Sequence, residues 1–199
     1  MAHTELHEAE LKALAEVCNL GMKHAAVALS QLTGKGVEIE VPRLQVLDAL
    51  GASHLHESRE VIVLQLQILG NVRGSILVLL PDEHARRILE LLLGELPQSG
   101  APFSEMERAT LMEVGNILAS ACLNALGNAL GMTLLPSVPS LCAGNGREIL
   151  ERAMEPWVEG EEVVTMDAMF KVSDTPCSGS IFVIPAPVTL GAMLTAMDK

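Results

Sequence analysis

The chain repeats itself, and this constrains its fold more than any other feature. Leu14-Ala15-Glu16-Val17-Cys18-Asn19-Leu20 recurs as Leu111-Met112-Glu113-Val114-Gly115-Asn116-Ile117, 97 positions further on. Both segments continue through small residues to a glycine (Gly34, Gly131) and then a proline (Pro42, Pro139), all at that same offset. Gly74-Ser75-Ile76-Leu77-Val78 returns as Gly179-Ser180-Ile181-Phe182-Val183 at an offset of 105, which assigns about eight extra residues to the second half, between Asn145 and Gly160. Ordered matches at near-constant spacing mark an internal duplication. The halves are 1–97 and 98–199, with no low-complexity linker between them, so one domain is expected.

Each half follows one plan. A long helix comes first, over 5–33 and 104–130. Ser104-Glu105-Met106-Glu107 opens the second as a capping box, and Gly34 and Gly131 suit the C-terminal stops. Three strand-like runs follow in each half, at 36–48, 60–68 and 72–80, then 132–142, 161–172 and 178–185. Val61-Ile62-Val63-Leu64-Gln65-Leu66-Gln67 shows the apolar enrichment of a half-buried strand. A helix closes each half, over 82–94 and 187–197. The expected architecture is a mixed α/β (α+β) fold, with two long pseudo-symmetric helices packed on a shared six-stranded sheet.

At about 100° per residue, Glu16 and Asn19 lie roughly 60° apart on the first helix, with Lys12 and Lys23 in the same arc. Leu14, Val17, Gly21, Ala25, Ala28 and Leu32 form the opposite, apolar face. On the second helix Glu113, Asn116, Ser120 and Asn124 share one arc, and Val114, Leu118, Ala121 and Ala125 lie across from it. The expectation is a polar ridge facing solvent on both helices. Asn has no propensity reason to sit inside a helix. Its appearance twice, each time three residues after Glu and at a fixed distance before Pro, points to a shared task.

These residues resemble the CheC-type family of response-regulator phosphatases, whose motif reads Asp/Ser-x3-Glu-x2-Asn and then, after 22 residues, Pro. Glu16, Asn19 and Pro42 match it in the first copy, and Glu113, Asn116 and Pro139 in the second. The similarity spans essentially the whole chain, and two motif copies separate it from the CheX branch. The leading Asp/Ser position is Lys12 in one copy and Ala109 in the other, a departure from the family pattern. The resemblance implies a cytoplasmic chemotaxis protein that dephosphorylates a CheY-like response regulator and has no cofactor of its own. The regulator supplies the aspartyl phosphate, its Mg²⁺ and an active-site Lys. Glu16 or Glu113 docks on that Lys, and Asn19 or Asn116 orients the attacking water. A CheD-type deamidase is a further partner the family suggests. The reading from another class is a protein that holds a regulator or such a deamidase without hydrolysis. The second site is expected to be the stronger, because Lys12 and Lys23 place positive charge where a regulator lysine must dock.

Composition narrows the rest. A formal net charge of -12 opposes binding to nucleic acid or to an anionic membrane face. Cys18, Cys122, Cys142 and Cys177 form no C-x-x-C pair and read as reduced thiols. The N-terminus lacks the basic start and apolar run of a signal peptide. The uncharged stretch between Glu113 and Arg147 is interrupted by Asn116, Ser120, Asn124 and Asn128, and reads as a soluble, polar-striped helix. No G-x-S-x-G elbow or P-loop is present. His54-Leu55-His56 lacks carboxylate or Cys partners at metal-ligand spacing and is expected in an exposed loop.

Overall fold

Unbroken apolar runs in the middle strands dictate a sheet covered on both faces, and the computed structural model has that arrangement. It describes residues 8–48, 60–154, 162–172 and 175–185. In chain order the elements are α1 (Glu8–Thr33), β1 (Val37–Asp48), β2 (Glu60–Gly70), β3 (Gly74–Pro81), α2 (Asp82–Leu93) and α3 (Glu105–Leu130). Then follow β4 (Leu134–Pro136), β5 (Ser140–Asn145), α4 (Gly146–Met154), β6 (Glu162–Val172) and β7 (Thr175–Pro185). The strands form one sheet in the order β1-β6-β7-β3-β2-β4, with β5 also paired to β2, and every pairing is antiparallel.

The period of two along each strand divides its apolar side chains between two cores. Ile62, Leu64, Leu66 and Ile68 of β2 and Ile76, Val78 and Leu80 of β3 face α1, α2 and α3 in the larger core. Val61, Val63, Leu77 and Leu79 point the other way, into a smaller core with Leu150 of α4, Phe182 and Ile184. The run Val61–Gln67, expected as a half-buried strand, is therefore covered on both faces, which is why β2 and β3 read as nearly continuous apolar runs rather than alternating ones.

Three features depart from the expectation. The sheet has seven strands rather than six, because the run expected at 132–142 is split into β4 and β5 around Ser137, Val138 and Pro139. The extra residues near 145–160 contain a helix, α4, which is amphipathic and covers the smaller core. On α1 the buried stripe runs through Cys18, Gly21, Met22, Ala25, Ala26 and Leu29, while Leu32 of the predicted apolar face is 54% exposed. The helix is turned by its two neighbours, α3 on one flank and β1 on the other. The closing helix expected at 187–197 and the His54-Leu55-His56 segment lie outside the described residues, and Leu14 and Pro42 are described in their backbone alone.

The two long helices cross where neither has bulk. A Cβ on Gly21 would lie 2.7 Å from both the Ala121 carbonyl oxygen and the Ala125 Cβ, so a side chain there would force the helices apart. Cys18 and Cys122, both fully buried, belong to the same core. The hydrogen bond with Cys18, and then burial, push the Cys122 thiol well above its usual range, so it stays protonated and unreactive. All four cysteines are free, and only Cys142 is exposed. α3 is long and apolar enough to cross a membrane, but Leu111, Leu118, Ala119, Cys122 and Leu123 along it have no exposed surface in the core.

The start of α3 is fixed from below by Arg86. This side chain is 6% exposed, donates through Nε to Asp82 Oδ2 (2.7 Å), and through Nη1 and Nη2 to the Gln98 and Ala101 carbonyls (2.7 and 3.0 Å). It also lies 4.5 Å from the centre of the Phe103 ring. The pinned connector delivers Ser104, whose hydroxyl accepts from Glu107 N–H while the Glu107 carboxylate accepts from Ser104 N–H, the capping box read from the sequence. Arg86→Ala strands two carbonyls and Asp82 near the core, and is expected to cost about 3 kcal/mol, measurable by urea denaturation. A loss under about 0.5 kcal/mol would show that the connector is held otherwise.

Candidate functional site

The proline of each half sits where a strand beside the long helix loses its ladder. Proline cannot donate, so a sheet tolerates it at an edge or a bulge. On β1, Glu40 pairs with Met169 and Arg43 with Asp167, which leaves Val41 and Pro42 opposite Ala168 alone. This bulge changes the phase of the strand: Val37, Ile39 and Val41 face the larger core, whereas Leu47, also odd-numbered, packs against the smaller one. On the other side of the sheet Pro136 pairs with Ile68 and Ser140 with Gln65, so three residues, Ser137 to Pro139, oppose two. Both halves thus carry one extra residue at the proline.

They satisfy the displaced backbone differently. In the first half the side-chain amide of Asn19 brackets Val41, with Oδ1 accepting from Val41 N–H (2.9 Å) and Nδ2 donating to the Val41 carbonyl (3.2 Å). Nδ2 donates also to the Ala15 carbonyl one turn back (3.0 Å). Val41 is held inward and is 4% exposed. In the second half Ser137 closes the kink onto β2. Its N–H donates to the Gln67 carbonyl (2.9 Å), its Oγ accepts from Gln67 N–H (2.9 Å), and its hydroxyl donates to the Val138 carbonyl (3.1 Å). Val138, the counterpart of Val41, is turned outward at 87% exposure. Among the described residues no hydrogen bond engages the amide of Asn116.

The two glutamates behave alike. Glu16 and Glu113 are exposed, and among the described residues neither has an ion-pair partner. Each motif asparagine is half-buried rather than fully on the ridge, because the sheet rises against that flank of the helix. Lys12 and Lys23 are exposed on α1, whereas the corresponding positions on α3 are the uncharged Ala109 and Ser120. Ser120 is half-buried and Asn124 exposed on the same side of α3. Reasoning from sequence missed Leu20 and Val27, exposed at 56% and 58% on α1, and it missed Ser137. Aligning the halves at 97 residues would have signalled Ser137, since it stands where the first half has Glu40.

Comparison with known proteins fits this arrangement. A model of the CheC-like family matches residues 106–142, the segment that holds α3, the split strand and Glu113, Asn116 and Pro139. The CheC1 protein of Halobacterium salinarum is 32% identical over 177 residues, covering 88% of this chain and 89% of its own length. The CheY-P phosphatase CheC of Bacillus subtilis is 30% identical over 171 residues, covering 81% and 80%. The crystal structure of Thermotoga maritima FliY shares the fold with a TM-score of 0.76 over 98% of both chains, at 19% identity. This chain belongs to the CheC-like family.

Asn19→Ala leaves the nearly buried Val41 amide and carbonyl without partners and is expected to cost about 2 kcal/mol of stability. Asn116→Ala removes an unengaged amide and should change stability by less than about 0.5 kcal/mol. Equal losses for the two in urea titrations would contradict the asymmetry.

Proposed function

We propose that this chain hydrolyses the aspartyl phosphate of a CheY-like response regulator, with Glu113 and Asn116 on α3 as the stronger site and Glu16 and Asn19 on α1 as the weaker one. The observation that carries this reading is the unengaged Asn116 amide beside the exposed Glu113, one helical turn apart on a helix fixed at both ends. Membership in a family whose curated relatives are named for CheY-P phosphatase activity supports it.

The chemistry follows from what the two side chains can do. Glu113 is a fixed negative charge on an uncrowded surface, suited to pair with a lysine of the regulator and to dock the helix. An asparagine amide can accept a hydrogen bond from water at Oδ1 and donate one from Nδ2 to a phosphoryl oxygen. Held against the regulator's phosphoryl group, it would set a water in line with the phosphorus. That water attacks, the bond from phosphorus to the aspartate oxygen breaks, and inorganic phosphate leaves a free carboxylate behind. Phosphoryl transfer of this kind gains mainly from positioning and charge stabilisation, and the regulator would bring the Mg²⁺ and lysine that neutralise charge. Rigidity of the helix is therefore part of the mechanism. At the first site Lys12 and Lys23 repel the incoming lysine, and the amide of Asn19 is already bonded.

The two roles separate in kinetics. Glu113→Ala is expected to weaken association with the phosphorylated regulator, whereas Asn116→Ala leaves association intact and slows dephosphorylation about tenfold or more. Measured regulator affinity and single-turnover phosphate loss decide this. Equal affinity losses in both variants would contradict the division of roles. A protein that only sequesters the regulator would bind it and leave the lifetime of its phosphate unchanged, which would overturn the reading.

A further inference from the structure

We propose that Ser137 is a positioning residue that keeps Asn116 available, whereas in the first half, where Glu40 occupies the corresponding place, Asn19 is committed as a clamp on β1. The kinetic consequence rests on the phosphatase reading above; the clamp itself does not.

In the first half the kink before the proline leaves the polar groups of the nearly buried Val41 in need of partners, whereas in the second half the bonds of Ser137 to β2 accompany a Val138 turned out to solvent. Two kinds of side chain can reach them, one from the helix above and one from the strand itself. Ser137 provides the second solution. Its short hydroxyl is both donor and acceptor, so it takes the Gln67 N–H and the Val138 carbonyl together. Glu40 cannot substitute for it. An ionised carboxylate only accepts, and the Glu40 side chain lies exposed to solvent. The residue opposite Glu40, Met169, holds the place across the strand pair that Gln67 holds opposite Ser137. With no hydroxyl there, Val41 turns inward and its N–H and carbonyl go to Asn19. The same chain therefore displays both states of one device, with the asparagine captured in one half and free in the other. A single side chain two residues before the proline decides which.

The test uses the full-length protein and three variants. In Ser137→Ala the Val138 carbonyl loses its hydroxyl, and the Asn116 amide takes it, as Asn19 takes that of Val41. The side-chain amide resonances of Asn116 should then shift and their hydrogen exchange should slow about tenfold. In turnover of a phosphorylated regulator, kcat should fall about tenfold with KM unchanged, since only water positioning is affected. Ser137→Thr keeps the hydroxyl and should restore both readouts. In Glu40→Ser, a change at an exposed position, the Val41 amide should exchange about tenfold faster as Asn19 is released. Unchanged Asn116 resonances in Ser137→Ala, or unchanged protection of Val41 in Glu40→Ser, would overturn the proposal. If the wild-type protein turned over no regulator, the phosphatase reading would fall, and the exchange measurements would still decide the clamp.

Discussion

A proline interrupts the first strand-like run of each half, within β1 in one and between β4 and β5 in the other, and what its missing N–H does to the ladder shapes everything around the site. In both halves the ladder is interrupted at this proline and one extra residue is accommodated there. The kink gives each strand its change of face, so that β1 contributes Ile39 to one core and Leu47 to the other. In the first half it also releases the polar backbone groups of the nearly buried Val41 beside α1. Because an unpaired N–H or carbonyl near the core is costly, some side chain must answer. The identity of that side chain separates the halves: an amide from α1 in the first, a hydroxyl from the strand in the second.

The rest of the fold holds the helices still above these kinks. α1 and α3 approach closely enough that Gly21 admits no side chain, and α1 lies against β1 while α3 lies against the middle strands. Arg86 fixes the connector into α3, and the Ser104–Glu107 box closes its first turn. Gly131 ends the helix in the left-handed conformation, with φ 64°, and its N–H returns to Gly127. The proposed placing of a water needs this kind of support, since a displacement of about 1 Å can remove most of the gain from positioning.

Much of this was legible in the residues. The 97-residue offset placed both long helices to within a few positions, and the capping box and glycine stops were read directly. The unbroken apolar runs gave β2 and β3. The split of β4 from β5 was not legible, because Pro139 alone does not distinguish a bulge from a break; the bonds of Ser137 to β2 decide that. α4 was missed because its nine residues were treated as excess length, although Ile149 and Leu150 carry an amphipathic pattern. The exposure of Leu32 followed from α1 having two neighbours, which a single helical wheel does not represent. For the site, Glu113 and Asn116 stood out from spacing, but the difference between Asn19 and Asn116 depended on tertiary hydrogen bonds that the motif does not encode.

The central claim is that the second helix, through Asn116, is the one that enters a regulator's phosphorylation site. The most direct measurement is a structure of the complex with a response regulator carrying a beryllium fluoride mimic of the acyl phosphate. The account predicts α3 at the interface, with the Asn116 amide about 3 Å from a fluoride or from a water in line with it, and Glu113 paired to a regulator lysine. A complex in which α1 occupies the regulator's site and Asn116 stays in solvent would contradict it.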